Sequence, residues 1–365
     1  MILTYKRFIN KDFQQEYKNN FIKDFIGTRN HFFCFSVREG IYSIITLLKL
    51  TGSDIVLMPA FCPQGLNMPF KNKRIKIITY KCNQFLEPDI KDITTLIKEF
   101  KPKVFILIHY FGVDYADDSL LKILRHNKII LIEDCVHGFM STYENGEYLG
   151  SKGDISFYSF SKVLPVPDGA LFILNNYDVS SNINISKKNF YNQIAFVLHL
   201  LYLKLKRVTI NYNSQYLNIF EKLIYFFYYK FLCYNKSTTS ISKYSNERLA
   251  FFNYQKIRNA RIDNLKFYHN ILGSSFINHK INKNSVLTGY PIISTNKKKI
   301  WGFLNKNNVE VLSYNKYWFF PEYFEKEKFK EEYFIYNNHF CLPLNENIKP
   351  DQINKIIDLL IKFNN

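Results

Sequence analysis

The segment DISFYSFSKVLPVPDGALFIL, residues 154–174, contains two apolar runs of strand length, DISFYSF and ALFIL, separated by a short loop. Two prolines in this loop restrict the backbone that follows Lys162. An Asp-Gly pair then turns the chain back towards the second run. The segment therefore predicts a lysine held at a fixed height at the end of a strand.

The pattern around this segment predicts the fold. From residue 54 onwards the apolar runs DIVLMP, RIKIITY, KVFILIHY and KIILIED alternate with DITTLIKEF and DSLLKILRHN, which have helical spacing. Several of the runs are apolar on both faces, as in a mostly parallel sheet that helices cover on both sides. We predict an α/β fold, in which ligands bind outside the carboxyl ends of the strands.

The composition and net charge of the chain indicate which kinds of partner it can bind. The chain has 365 residues, a formal net charge of +18 and 47% apolar residues, as expected of a folded protein. A positive field attracts nucleic acid, an anionic membrane surface or a phosphorylated small substrate. Because no compact Lys/Arg block stands out, nucleic acid is not predicted as a partner.

The cysteines and the start of the sequence indicate the compartment. Six scattered cysteines form no CxxC pair, so neither a metal site nor a disulfide framework is predicted. The start, MILTYKRFINKDF, lacks the pattern of a secretory signal. We expect free thiols and a cytoplasmic location.

The segment from about 180 to 244 differs in character from the rest. Its core, 190–235, is aromatic and basic, and each apolar run is too short to span a bilayer. Two interpretations stay open: amphipathic helices in peripheral contact with a membrane, or helices packed on the protein. We predict a large domain over 1–245 that includes this insert, and a smaller C-terminal α+β domain over 246–365.

Three residue types around Lys162 suggest its chemistry. As a lone lysine it would be a surface cation, yet Asp134 ends a preceding strand and Ser159 lies three residues before Lys162. A lysine that forms a Schiff base with pyridoxal phosphate needs a rigid mount, a hydroxyl for the phosphate and a carboxylate for the ring nitrogen. This sequence offers all three.

Four segments in this order carry a resemblance to a known family: EDCVHG, GSKGDISFYSFSK, PDGALFIL and CLPLNENIKPDQINKII. The chain resembles the DegT/DnrJ/EryC1/StrS aminotransferases, which use pyridoxal phosphate and are best known for aminating sugar-nucleotide ketones. The resemblance runs from about Ser36 to the C-terminus and fits poorly over 180–244. It implies a fold type I architecture, like aspartate aminotransferase, and a homodimer.

The resemblance also implies roles for individual residues. Lys162 would bind pyridoxal 5′-phosphate as a Schiff base and carry the proton. Asp134 would pair with the ring nitrogen, and Ser159 would hold the phosphate. His137 stands where the family commonly has Gln and would bond the phenolic oxygen, while Phe61 would cover the ring.

Other positions depart from the family pattern. The stretch SVREGIYSIITLL takes the place of the family's Ser-Gly-Thr helix start, whose backbone N–H groups face the cofactor phosphate. Only Gly40 is retained from that triplet, and Glu39 departs from it. Both are candidate cofactor-binding residues. Arg38, in the same stretch, is a candidate to clamp the phosphate or carboxylate of a substrate. The family's Gly-Tyr-Asn-Tyr-Arg stretch is replaced by KYSNERL, where Asn246 and Arg248 are candidate substrate-binding residues.

We predict an aminotransferase that moves an amino group, from L-glutamate, to the keto carbon of a phosphorylated sugar in surface-polysaccharide (capsule) biosynthesis. The acceptor is either a nucleotide-linked keto-sugar or a small keto-sugar phosphate such as a triose phosphate. Two alternatives stay open. One is a pyridoxal-phosphate decarboxylase or lyase of the same fold, and the other is a non-catalytic membrane-associated scaffold.

Overall fold

A seven-stranded sheet forms the centre of the protein. The computed structural model describes residues 13–14, 17–177, 183–187, 189–212, 215–273, 277, 280–313 and 327–364. The strands are β1 (Asn30–Cys34), β2 (Ile55–Pro59), β3 (Lys76–Tyr80), β4 (Val104–Ile108), β5 (Ile130–Asp134), β6 (Ile155–Ser159) and β7 (Ala170–Leu174). Their spatial order is β1-β7-β6-β5-β4-β2-β3, and β2 to β6 run parallel, whereas β7 is antiparallel to both neighbours.

Helices precede β1 and connect most of the strands. They are α1 (Phe21–Ile26), α2 (Val37–Leu47), α3 (Gln64–Asn72), α4 (Ile90–Phe100), α5 (Asp118–His126) and the short α6 (Phe160–Val163). Asp89 and Asp117 cap α4 and α5 by accepting hydrogen bonds from backbone N–H groups of the first turn. Every residue of β4 and β7 is buried, which explains why these strands read as continuous apolar runs.

The predicted α/β fold is confirmed, and each of the six predicted runs in 54–174 is a strand. Strand β1 was not predicted. It has only five residues, and its first two, Asn30 and His31, are exposed at the edge of the sheet. A short edge strand that begins with polar residues gives little hydrophobic periodicity.

The C-terminal part contains a second sheet. Strands β8 (Tyr290–Ile293) and β9 (His339–Leu342) pair antiparallel. The remaining helices after residue 240 are α9 (Lys243–Leu249), α10 (Tyr254–Leu272), α11 (Lys297–Lys306), α12 (Lys330–Asn338) and α13 (Pro350–Asn364). The helical spacing of KKKIWGFLNKNN (297–308) and of PDQINKIIDLLIKF (350–363) predicts α11 and α13, whereas α10 and α12 were not predicted. The division at 245/246 stays a prediction.

The aromatic segment forms two helices, α7 (Phe190–Tyr212) and α8 (Gln215–Tyr234), which pack against each other. One face of this pair lies on the body of the protein, and the other is exposed. Of the predicted insert, residues 180–182, 188 and 213–214 lie outside the described residues. Across the described helices, none is both long and apolar enough to cross a membrane.

Candidate active site

A cavity of about 320 Å³ opens at the carboxyl ends of β4, β5 and β6. Its wall includes the predicted site residues Arg38, Asp134, His137, Ser159 and Lys162. Asp134 is the last residue of β5 and Ser159 the last of β6, and the two strands are paired in parallel. The topology therefore brings together residues that are up to 124 positions apart in the sequence (Arg38 to Lys162).

Asp134 is a buried carboxyl group in this cavity. Burial raises its pKa to about 7, against the opposing effects of a hydrogen bond from the Val136 N–H and of the charges on His109 and Lys162. The Val136 nitrogen lies 3.0 Å from Asp134 Oδ1. Such a carboxyl group is poised to become fully ionised when a cationic N–H enters the cavity.

His137 is neutral in this setting. Its burial and the nearby positive charge of Lys162 lower its pKa to about 3. A neutral imidazole has one N–H donor and one acceptor nitrogen. His137 can therefore bond a phenolic oxygen without adding charge to the site.

The start of helix α2 faces the cavity. Ser36 caps the helix, because its hydroxyl accepts a hydrogen bond from the Glu39 N–H, and Ser36, Val37 and Arg38 line the wall. The free N–H groups of a helix start, together with the helix dipole, favour an anion. Ser159 also lines this wall, so its hydroxyl and the helix start are the candidate groups to hold a phosphate.

Arg38 is a buried cation without a carboxylate partner among the described residues. Its Nη1 donates to Cys233 Sγ and its Nη2 to the Tyr229 hydroxyl, both at 3.1 Å. Its Nε is buried and has no hydrogen-bond partner within the described part of the chain. Since burying an unpaired charge is costly, the arrangement suits an anionic ligand in the cavity.

A glycine turn and several hydrogen bonds fix the end of the loop that follows Lys162. Gly169 has φ +116°, and a Cβ there would lie 2.7 Å from Ile241 Cδ1, so the turn requires glycine. Asp168 accepts hydrogen bonds from the N–H and hydroxyl of Ser242, at 3.0 and 2.6 Å, and from the Ser245 hydroxyl at 3.0 Å. These bonds join the loop to the start of α9.

Two more contacts, at Val163 and Pro167, hold this loop. Arg261, on α10, donates from Nη2 to the Val163 carbonyl at 3.1 Å, one residue after Lys162. His199 Nδ1, on α7, lies 2.7 Å from the Pro167 carbonyl oxygen. Residues on or at the start of three helices, α7, α9 and α10, thus contact the backbone and side chains of the loop that follows Lys162.

The pair α7–α8 forms one wall of the cavity. The imidazole ring of His199 on α7 stacks on the phenol ring of Tyr228 on α8, with centroids 4.5 Å apart. The side chains of the pair that line the cavity are His199, Leu203, Tyr225, Tyr228, Tyr229 and Leu232. Sequence reasoning assigned none of them to the site, because no motif marks a helical wall.

Glu39 and Gly40 do not line the part of the cavity that the structure describes. The Glu39 carboxylate is buried and accepts hydrogen bonds from Asn192 and from the N–H and hydroxyl of Thr239. A Cβ on Gly40 would lie 2.1 Å from the Phe172 ring, so glycine allows α2 to pack against β7. Glu39 therefore anchors the base of the α7–α8 pair, and a cofactor role for either residue stays a prediction.

Phe61, Asn246 and Arg248 are also absent from the described cavity wall. The Phe61 ring is buried and stacks on Tyr110, with centroids 5.9 Å apart. Asn246 and Arg248 lie on α9, where the Arg248 guanidinium is 4.2 Å from the Tyr244 ring centroid. Their predicted contacts with cofactor or substrate stay predictions.

His109 is a cavity residue that sequence reasoning did not assign. It follows β4, and its Nε2 lies 2.9 Å from Oε1 of Glu133, with both side chains fully buried. Burial opposes protonation, but the hydrogen bond and charge of Glu133 raise the pKa of His109 above its ordinary value. Its place after a strand was visible in the sequence, but its pairing with Glu133 was not.

Comparisons with known proteins agree with this geometry. The profile of the DegT/DnrJ/EryC1/StrS aminotransferase family matches residues 3–192, just over half of the chain. GDP-perosamine synthase of Escherichia coli O157:H7 is 24% identical over 169 residues, which are 44% of this chain and 46% of that protein. The matches to curated relatives thus span less than half of those proteins.

Solved structures share the fold over almost the whole chain. A putative sugar aminotransferase, Spr1654 from Streptococcus pneumoniae, superposes with a TM-score of 0.70 at 14% identity, covering 93% of this chain and 89% of that one. The aminotransferase TlmJ from Streptoalloteichus hindustanus gives 0.68 at 12% identity, covering 99% and 98%. The fold type I expectation is confirmed, and the chain belongs to the DegT/DnrJ/EryC1/StrS aminotransferase family.

Proposed function

We propose that this chain is a pyridoxal-phosphate-dependent aminotransferase acting on a phosphorylated keto-sugar. The observation that carries the proposal is the placing of Lys162 and the buried carboxyl group of Asp134 in one cavity, beside the start of α2. These groups match the amine, the ring-nitrogen partner and the phosphate site that the cofactor needs. The neighbour Spr1654 has been solved in PLP and PMP forms, which supports the same cofactor here.

The roles of the residues follow from their chemistry. Pyridoxal phosphate supplies an electron sink for negative charge at the substrate carbon. Lys162 Nζ would hold the cofactor and then move a proton to and from that carbon. Asp134 would keep the ring nitrogen protonated, His137 would bond the phenolic oxygen, and Ser159 would donate to the phosphate.

The acceptor is proposed to be anionic. Arg38 supplies a cation in the cavity wall that has no carboxylate partner in the described ranges. The chain also carries a formal charge of +18. The tyrosines of the α7–α8 wall offer flat faces and hydroxyl groups to a sugar ring. Both a nucleotide-linked keto-sugar and a small keto-sugar phosphate such as a triose phosphate satisfy this chemistry, and the name GDP-perosamine synthase supports the former.

The amino donor is proposed to be L-glutamate. Donor and acceptor share one lysine and one cavity, so the donor's keto-acid product leaves before the acceptor enters. A homodimer is proposed from the family, and a role in surface-polysaccharide biosynthesis from the sugar chemistry of its relatives. All six cysteines are free thiols, which supports the proposed cytoplasmic location.

The test is a half-reaction. The chain loaded with pyridoxal phosphate is mixed with L-glutamate, and 2-oxoglutarate is measured against the amount of protein. We expect one equivalent per chain, and none from Lys162→Ala that retains the wild-type unfolding midpoint. Release of carbon dioxide without 2-oxoglutarate would instead establish a decarboxylase, and failure of the wild type to load cofactor would favour a non-catalytic scaffold.

A further inference from the structure

The outer face of the α7–α8 pair is apolar and exposed. Ten of the 15 exposed large apolar side chains in the described part of the chain lie between Phe190 and Tyr234. On α8 they include Ile219, Leu223 and Phe226, whose spacing of three to four residues places them on one side of the helix. A surface this rich in exposed apolar groups indicates a contact with another protein or with a membrane.

The opposite side of the same helix faces the cavity. Tyr225, Tyr228, Tyr229 and Leu232 line the candidate active site, whereas Phe226 and Phe227 are 57% and 41% exposed. The helix therefore has an inner face that the protein covers and an outer face that it leaves open. Packing among the residues that the structure describes does not account for the outer apolar residues.

The charged residues around this face are nearly all basic. Residues 190–236 contain six basic residues and one acidic residue, Glu221, which is buried. Lys222 and Lys230 are exposed on α8, and the Lys230 ammonium lies 6.0 Å from the centroid of the Phe226 ring. An exposed apolar stripe among lysines is complementary to a surface that combines apolar groups with negative charge.

We propose that the outer face of the α7–α8 pair binds the surface of an anionic phospholipid bilayer, with its phenylalanines in the acyl boundary and its lysines at the phosphate groups. A second copy of the chain is a poorer fit. A twofold contact through this face would bring the lysines of both copies together with no exposed carboxylate to pair them. The inference concerns a surface apart from the cavity and does not depend on the proposed reaction.

The experiment is vesicle flotation with the full chain and no substrate. Vesicles of phosphatidylcholine alone are compared with vesicles that also contain phosphatidylglycerol. We expect the wild type to float with the anionic vesicles and not with the neutral ones, and to be released by high salt. Absence of binding to the anionic vesicles would overturn the proposal.

Two variants test the face itself. Replacing both aromatic residues (Phe226→Ser with Phe227→Ser) should weaken the partition onto anionic vesicles at least about tenfold. Lys222→Glu with Lys230→Glu should weaken it by at least about fivefold for each lysine. Phe334→Ser removes an aromatic that is 44% exposed on α12 and should leave binding unchanged.

Unfolding midpoints and light scattering separate the remaining outcomes. The substituted residues are exposed, so each variant is expected to keep the wild-type midpoint. Equal vesicle binding by wild type and both double variants would overturn the proposal. So would a wild-type dimer that the double Phe→Ser variant converts to monomers, because the face would then be a subunit interface.

Discussion

Asp134 shows how the position of one residue determines its chemistry. Exposed, this carboxyl group would be ionised at neutral pH, but burial raises its pKa to about 7. In the cofactor-free chain it is therefore partly protonated near neutrality. A cationic ring N–H beside Asp134 would lower this pKa, so the carboxyl group would release its proton to solvent and form a buried ion pair, which is the state that the proposed reaction needs.

Asp134→Asn tests this role. An amide has nearly the same shape but cannot balance a positive charge on the ring nitrogen, so we expect kcat with L-glutamate to fall at least about 100-fold. Steady-state kinetics of the loaded enzyme measure the change, with cofactor occupancy determined on the same samples. A loss smaller than about threefold at full occupancy would contradict the assigned role.

At the scale of elements, Glu39 connects α2 to the base of the α7–α8 pair. Its carboxylate accepts hydrogen bonds from Asn192 on α7 and from Thr239 after α8. Burial raises the pKa of Glu39 to about 7, although these hydrogen bonds oppose the shift. This carboxyl group holds in place the helices that form one wall of the cavity.

The raised pKa predicts a pH-dependent effect of Glu39→Gln. In the unfolded chain Glu39 ionises near the ordinary glutamate pKa of 4.5, and in the folded chain its pKa is about 7. Its contribution to stability therefore decreases as pH rises between these values. Glutamine keeps an acceptor oxygen and does not titrate. We expect equal unfolding free energies at pH 4.5, and a variant more stable by about 2–3 kcal/mol at pH 8.

Urea unfolding at the two pH values measures this difference. Glu99→Gln, at an exposed position on α4, serves as the matched control. A Glu39→Gln effect of the same size at both pH values would mean that Glu39 is ionised throughout. The anchoring account would then need a different electrostatic basis.

Elements differ in how far the sequence predicts them. Strands β4 to β7 were predictable because each is a compact apolar run, and Lys162 and Asp134 followed from the rule that ligands bind at strand ends. The bonds of Glu39 to residues up to 200 positions away were not. Periodicity reports which face of an element is buried, but not which distant polar side chain meets it there.

At the scale of the whole molecule, Arg261 joins the C-terminal part to the segment that carries Lys162. Its guanidinium is buried, forms an ion pair with Glu346 at 2.9 Å and donates to the carbonyls of Val163 and Leu287, each at 3.1 Å. Val163 lies 98 positions before Arg261 in the sequence, and Glu346 lies 85 positions after it. A change at Arg261 should therefore affect both stability and the site.

Arg261→Leu removes the cation that pairs with the buried carboxylate of Glu346 and the N–H that donates to the Val163 carbonyl. We expect the unfolding free energy to fall by about 3–5 kcal/mol, and cofactor affinity to fall with it. Chemical denaturation and cofactor titration measure the two effects. Adding Glu346→Leu removes the buried carboxylate as well and should recover part of the stability but not the affinity. A loss below about 1 kcal/mol in the single variant would contradict the account.

The central claim is that Lys162 holds pyridoxal phosphate in this cavity. Borohydride reduction of the loaded protein, followed by proteolysis and mass spectrometry, tests the claim most directly, because it makes the lysine–cofactor bond permanent. The account predicts one phosphopyridoxyl group per chain on the peptide that contains Lys162, and its loss when L-glutamate is added before the reduction. Labelling of another lysine, or none at saturating cofactor, would contradict it.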